Sequence, residues 1–549
     1  MSVDMSKHFS TSTLIRFTLP TIAMMIFTSC YTIVDGFFVS NYAGKTALAA
    51  VNLIFPAVMI LASVGMMIGT GGSALVAKTL GEGDRPRARR HFSLLIIFAF
   101  VVGSVLSLGG WFFMEPTATM LGATPGSQMH HDAALYGRMM MISLPFFILQ
   151  YAFQSFFVTA GKPKYGFLVI VAAGVANILL DFLFVGVFGW GLPGAALATN
   201  IGELIGGGIP LVYFARKRST HLYFVRPHLR WPVIGHACAN GSSEMVTNIA
   251  MSLVGILYNW QLLRFIGEDG VAAYGVIMYT VMIFSAVFMG YSVGTSPLMS
   301  FQYGAQNHTE MRSLLWKSLG IIGVASIVMF LLGQRLAAPL SAIFVSYDAA
   351  LLELTVSAYK LYALCFLFMG FAMYASAFFT ALNNGLVSAL ISFLRTLVFQ
   401  VAAVIVLPML FGIDGIWLSV TVGDGLTCLV AATFMIALSG RYGYRKGGLS
   451  PKAKAKAENG DRPRFLHRSQ LICIISAPLD AETKFTRAGG GRSAPSPALL
   501  DVAAPPTRRR RAGPLPRCRR GSGACRRPPT HPRRPRSWRR PGPRSSRAA

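Results

Sequence analysis

The sequence predicts an all-α polytopic membrane protein, with twelve transmembrane helices in two six-helix pseudo-symmetric lobes. Three observations lead there. Hydrophobic residues fill 53% of the 549 positions and charged residues 13%, against about 25% charged in a soluble chain. Apolar stretches of the roughly 20 residues that a spanning helix needs recur as far as Leu438 and then stop. The chain also resembles itself at a shift of 223 residues.

Polar and Gly/Pro punctuation places the helices near 14–39, 48–79, 92–114, 134–160, 165–188, 193–215, 234–263, 271–300, 314–335, 353–382, 386–410 and 415–438. The first carries no cleavage pattern and runs on into the second, so it is expected to stay as helix 1. Pro20, Pro56, Pro145 and Pro297 fall within helices 1, 2, 4 and 8, where each removes a backbone hydrogen bond and permits a kink.

Lys and Arg are retained on the cytoplasmic side of a membrane. They gather after helix 2 (Arg85, Arg87, Arg89, Arg90), helix 4 (Lys162, Lys164), helix 6 (Arg216, Lys217, Arg218, Arg226, Arg230), helix 8 (Arg312, Lys317) and helix 12 (Arg441, Arg445, Lys446). All these are even-numbered helices, so both termini are expected in the cytoplasm. The expected location is a bacterial-type inner (plasma) membrane.

The 223-residue shift sets Ala49-Ala50 on Ala272-Ala273, Gly71 on Gly294 and Gly81 on Gly304. A shift of 221 sets Gly202-Glu203 on Gly423-Asp424, so helix 12 repeats helix 6. Six helices return the chain to its starting side, which gives the halves one orientation. The expected divisions are an amino lobe (1–218), a carboxy lobe (219–448) and a basic Pro/Arg/Gly-rich tail (449–549). Residues 451–549 hold 25 Lys+Arg against 5 Asp+Glu, or +20 of the formal +29. Such a composition buries too little apolar surface to fold, and disorder is expected there.

Ionisable groups in spans are costly and point to function. They are Asp35 in helix 1, Asp181 with Asn177 in helix 5, Glu203 with Thr199 in helix 6, Glu244 in helix 7 and Arg395 in helix 11. Asn177 and Asp181, four apart, share a helix face. At about 1.5 Å per residue, Asp35, Asn177, Asp181 and Thr199 fall in one slab about 8–16 Å from the outer helix ends. Carboxylates with neutral oxygens beside them suit a proton or Na⁺. Glu203 and Glu244 lie deeper, where they would bind substrate or stay neutral by burial. Arg395 needs a partner or an aqueous cavity, and the sequence names neither.

Several classes are disfavoured. Gly44-Lys45-Thr46 ends like a phosphate-binding loop, but Val39 stands where its first glycine would be. Ser-His-Asp and metal-ligand spacings are absent from the body, which speaks against an enzyme. Cys30, Cys238, Cys365 and Cys428 fall singly in apolar segments and read as small buried residues.

Leu19-Pro20, the run Val34-Asp35-Gly36-Phe37-Phe38-Val39, Gly44, the run Ala47-Leu48-Ala49-Ala50-Val51-Asn52, and Gly81-Glu82-Gly83-Asp84 together resemble the multidrug and toxic compound extrusion (MATE) transporters. Asn177, Asp181 and Thr199 match that family's acidic amino-lobe site in type and spacing. The resemblance covers about residues 5–445. It implies a V-shaped pair of lobes that exports varied, often cationic, organic compounds in exchange for H⁺ or Na⁺. The protein is further expected to be a monomer that needs no cofactor beyond the coupling ion and no nucleic acid. The resemblance makes Asp35, Asn177, Asp181 and Thr199 the coupling-ion site and Pro20 a bend in helix 1, and sets Glu244 where some members place a helix-7 carboxylate; Glu203, from its depth alone, joins Glu244 as an expected substrate or accessory carboxylate. Helix 10, with Tyr374 and Ser376 but no carboxylate in its middle, departs from members that have a carboxy-lobe ion site. The tail has no family counterpart. Two further readings are a flippase of lipid-linked or polyprenyl-linked substrates, whose cavity would be lined with cationic side chains, and a basic tail that binds RNA or anionic lipid.

Overall fold

Residue 5 and residues 8–217, 221–346 and 348–444 are described, the Lys45 side chain excepted, in a computed structural model. They fall within one compact unit, Met1–Arg464. The predicted tail, 449–549, lies outside the described residues.

Twelve helices are long and apolar enough to cross a membrane: α1 Thr11–Ala43, α2 Thr46–Gly81, α3 Arg85–Met120, α4 Gln128–Thr159, α5 Pro163–Val187, α6 Gly191–Ala215, α7 Trp231–Phe265, α8 Glu268–Gly304, α9 His308–Val345, α10 Ala349–Ala381, α11 Gly385–Phe411 and α12 Ile413–Tyr442. No strand occurs among the described residues. Leu108, Phe112, Met409 and Ile436 are exposed on the outside of the bundle, where only a lipid solvent makes such exposure favourable. The protein is a multi-pass membrane protein of the predicted class.

The number of spans agrees with the sequence, but several ends differ for one reason. Arg85, Arg87, Arg89 and Arg90, expected in a loop, form the first turns of α3. Asp84 caps that helix by accepting from the Arg87 amide at 3.0 Å, and Pro follows at the helix start, where its missing N–H costs nothing. Arg312 and Lys317 likewise sit inside α9, behind an Asn307 cap that accepts from the Glu310 amide at 3.2 Å. Polar helix turns extend beyond the apolar segment, and an apolarity criterion misses them.

The helices also run on through Pro20, Pro56, Pro145 and Pro297. Among the described residues the irregular turns within the spans are three widened π segments, Val39–Ala43, Phe182–Val187 and Leu394–Gln400, and one tightened 3₁₀ turn, Ala363–Cys365, all without proline.

Each half has its own apolar core. In the first, Phe92, Phe153, Phe156, Phe157 and Phe214 pack ring on ring between α3, α4 and α6. In the second, Tyr258, Phe366 and Trp417 anchor a cluster drawn from α7, α10 and α12. The halves meet where α1 packs on α8 and α2 on α7 and α8. There the backbones touch: a Cβ on Gly71 would overlap the Ala237 carbonyl, one on Gly81 the Phe301 carbonyl, and one on Gly304 the Lys78 carbonyl. These approaches lie toward the face that carries the arginines of α3.

Candidate functional site

α5 is held between α1 and α6, which buries the face bearing Asn177 and Asp181, 3% and 0% exposed. Gly202 permits the close approach of α6, since a Cβ there would stand 3.2 Å from the Asn177 Cβ and 3.3 Å from the Ala173 carbonyl. This contact brings Thr199, one turn earlier, level with Asn177. The Thr199 Oγ1 donates to the Ala195 carbonyl at 3.1 Å and lies 3.5 Å from both the Asn177 Nδ2 and the Asp35 Oδ1. Asp35 reaches in from α1. Its carboxyl is within electrostatic reach of that of Asp181. Among the described residues, neither Asp181 oxygen nor the Asn177 Oδ1 has a hydrogen-bond partner. The α5 helix widens immediately after Asp181, and π segments of this kind are frequent at functional sites.

The structure therefore brings together the four residues Asp35, Asn177, Asp181 and Thr199, and sets the other candidates apart. Glu203, 5% exposed, has its own chain of hydrogen bonds, although it lies within electrostatic reach of Asp35. The Ser143 Oγ lies 2.5 Å from its Oε2 and 2.6 Å from the Asn200 Oδ1, while the Asn200 Nδ2 donates to the Met139 carbonyl at 2.9 Å. Ser143 thus faces two side-chain oxygens with one hydroxyl. Glu244 stands in the other half, on α7, one turn from Asn248, whose Nδ2 touches the Met66 sulfur of α2 at 3.3 Å. Pro20 lies within a continuous α1, away from these groups.

The partner of Arg395 is Asp424. Its Nε and Nη2 donate to the two oxygens of that carboxylate at 2.7 and 3.2 Å, a forked pair in which Asp424 is 0% exposed. Asp424 appears in the sequence only as the repeat counterpart of Glu203, and that correspondence is the signal that could have located the pair. Glu244 is within electrostatic reach of the same guanidinium.

The repeat persists in three dimensions. Gly44 and Gly267, with φ of +96° and +87°, precede α2 and α8. Gly423 lies against Gln400 as Gly202 lies against Asn177. At these shifts, Asp35, Asn177, Asp181 and Thr199 correspond to Tyr258, Gln400, Val404 and Val420. Three of the four, Tyr258, Val404 and Val420, belong to the apolar core of the second half, and the Tyr258 hydroxyl donates to the Ile416 carbonyl at 2.9 Å.

Among the described residues no three His, Cys, Asp or Glu side chains gather as a metal site requires. Of the four described cysteines, Cys365 alone is buried; Cys30 is exposed, and Cys238 and Cys428 are partly so. The expectation of four buried cysteines fails because an apolar helix in lipid has an outer face as apolar as its inner one.

A family model, MatE, matches the chain twice, over residues 20–183 and 245–406, more than half of its length. Similar curated proteins include the multidrug export protein MepA of Staphylococcus saprophyticus, 24% identical over 444 residues that cover 79% of this chain and 96% of that protein. MepA of Staphylococcus aureus is 22% identical over 428 residues, covering 77% and 93%. Among solved structures, an outward-facing multidrug resistance MATE family transporter of the MOP superfamily gives a TM-score of 0.73 at 21% identity, over 78% of this chain and 96% of that one. A MOP superfamily transporter from Pyrococcus furiosus, titled for the reverse polarity of its binding pocket, gives 0.73 at 20% identity, over 78% and 95%. At these identities the structural likeness carries the fold alone.

Proposed function

Because the chain belongs to the MatE family, we propose that it is a secondary active antiporter that exports small, often cationic organic compounds, drugs among them, in exchange for H⁺ or Na⁺ by alternating access. The observation that carries this reading is the convergence of Asp35, Asn177, Asp181 and Thr199 from three helices, with no basic side chain among them. Two facing carboxyls hold a single proton or a single cation readily and two bare negative charges poorly. The Asn177 and Thr199 oxygens add the neutral ligands that Na⁺ takes. Substrate cation and coupling ion then compete for negative charge in one half, and such competition links their binding reciprocally. Multidrug export by the staphylococcal relatives supports drugs as the substrate class.

Alternating access needs one closed face. The contacts of Gly71, Gly81 and Gly304 favour closure on the arginine-rich face, which the retention of Lys and Arg puts in the cytoplasm together with both termini. In this reading the coupling site opens outward. The flippase reading loses its support because Arg395, the basic side chain it needs, is already forked onto Asp424.

Purified full-length protein in proteoliposomes is expected to expel a fluorescent organic cation when an H⁺ or a Na⁺ gradient is imposed singly. Transport that ignores both gradients overturns the antiporter reading. For the orientation, a single cysteine at Glu82 in a cysteine-free background is expected to resist impermeant thiol reagents applied outside intact cells. Rapid labelling there reverses the topology.

A further inference from the structure

Helices α6 and α12 carry repeat-related carboxyls at Glu203 and Asp424, and the two have partners of different charge. Around Glu203 the partners are Ser143 and, through it, Asn200, both neutral side chains. Asp424 is fully buried and meets a guanidinium on both oxygens, at 2.7 and 3.2 Å. A tethered guanidinium cannot diffuse away. Arg395 also lies on the widened segment Leu394–Gln400 of α11, within electrostatic reach of Glu244 on α7, the helix that touches α2 of the other half. Two carboxyls and one permanent organic cation thus make up this polar centre of the second half.

We infer that Arg395 is a resident cation that keeps the carboxy half from taking a cationic group of the substrate, and so sets specificity for compounds with one positive centre over those with two. Asp424 and Glu244 form a site for an organic ammonium or guanidinium group, and Arg395 fills it. Like charges brought together in a low-dielectric interior repel strongly, so a second cationic group is refused while the guanidinium stays. A forked Arg–carboxylate pair is held by geometry as well as charge, which makes the refusal constant through the transport cycle. The inference rests on the proposed export of organic cations, and its test separates the two.

The test compares an alkyltrimethylammonium with the bis-quaternary compound of the same chain length, assayed on the full chain in proteoliposomes. The readout is the ratio of bis- to mono-quaternary transport, which cancels differences in protein abundance. Arg395→Gln is expected to raise this ratio by about tenfold. Arg395→Lys, which keeps the charge, is expected to leave it unchanged, and Arg395→Gln with Asp424→Asn to return it to the wild-type value. A merely structural pair would lower both transport rates together. An unchanged ratio in Arg395→Gln, or a rise that survives the added Asp424→Asn, overturns the inference. Should Arg395→Gln fail to reach the membrane, Asp424→Asn alone, which leaves the guanidinium unneutralised, is expected to lower the ratio by about tenfold, and no change there also overturns it. Asp181→Asn, run in parallel, reports on the amino-half coupling site through mono-quaternary transport alone, so each idea fails visibly by itself.

Discussion

In the first half, Asp35, Asn177, Asp181 and Thr199 converge from three helices, and among the described residues the Asp181 oxygens have no hydrogen-bond partner. At the same repeat positions the second half has Tyr258, Gln400, Val404 and Val420, three of them within its apolar core. Helix α6 ends its polar face in Glu203 beside neutral donors, whereas α12 has Asp424 locked to Arg395. One six-helix plan therefore supports two chemistries. An unneutralised charge in hydrocarbon costs about 2.5–3.5 kcal/mol at the helix centre on insertion scales. The second half avoids that cost with valines and a permanent ion pair, while under the proposed function the first half leaves it to a mobile ion.

The largest expected difference between the halves is in ion coupling. Asp35→Asn keeps the volume and removes the charge, and should lower gradient-driven efflux by about 100-fold, with the Asp35→Asn and Asp181→Asn double variant little worse, since groups that act as one unit are not additive. Tyr258→Phe, at the corresponding position, should stay within about twofold in rate and lose about 1 kcal/mol of stability with its hydrogen bond to Ile416. Equal losses in the two variants, measured at matched membrane abundance, would erase the functional asymmetry.

A smaller effect is expected at the seam that both halves share. Gly81→Val places a side chain against the Phe301 carbonyl. Overpacking of about 1–3 kcal/mol against the closed state corresponds to about a tenfold fall in transport, with substrate binding kept. Wild-type turnover in Gly81→Val would show that this contact does not belong to the closure.

The sequence carried the twelve spans because lipid selects long apolar runs, and it carried the Asn177–Asp181 face because a spacing of four fixes both residues on one side of a helix. It did not carry the Arg395–Asp424 pair, since two residues 29 positions apart on neighbouring helices meet only if rotation and depth agree, and neither is written in spacing. The widened turn after Asp181 has no residue signature; prolines drew attention to kinks, yet the irregular turns lie elsewhere. The arginines of α3 were legible as charge and misplaced as structure, although the Asp84 cap ahead of them was the available signal.

Under the proposed function, Asp181 exchanges ion for substrate in the first half alone. The most direct measurement compares two modes of transport by Asp181→Asn in the same proteoliposomes: substrate counterflow, which needs no coupling ion, and concentrative efflux driven by an H⁺ or Na⁺ gradient. Counterflow should persist near the wild-type rate while concentrative efflux falls by about 100-fold. Concentrative efflux at the wild-type rate with unchanged pH and Na⁺ dependence, at normal abundance, would contradict the account and move the coupling site to Glu203 or Glu244.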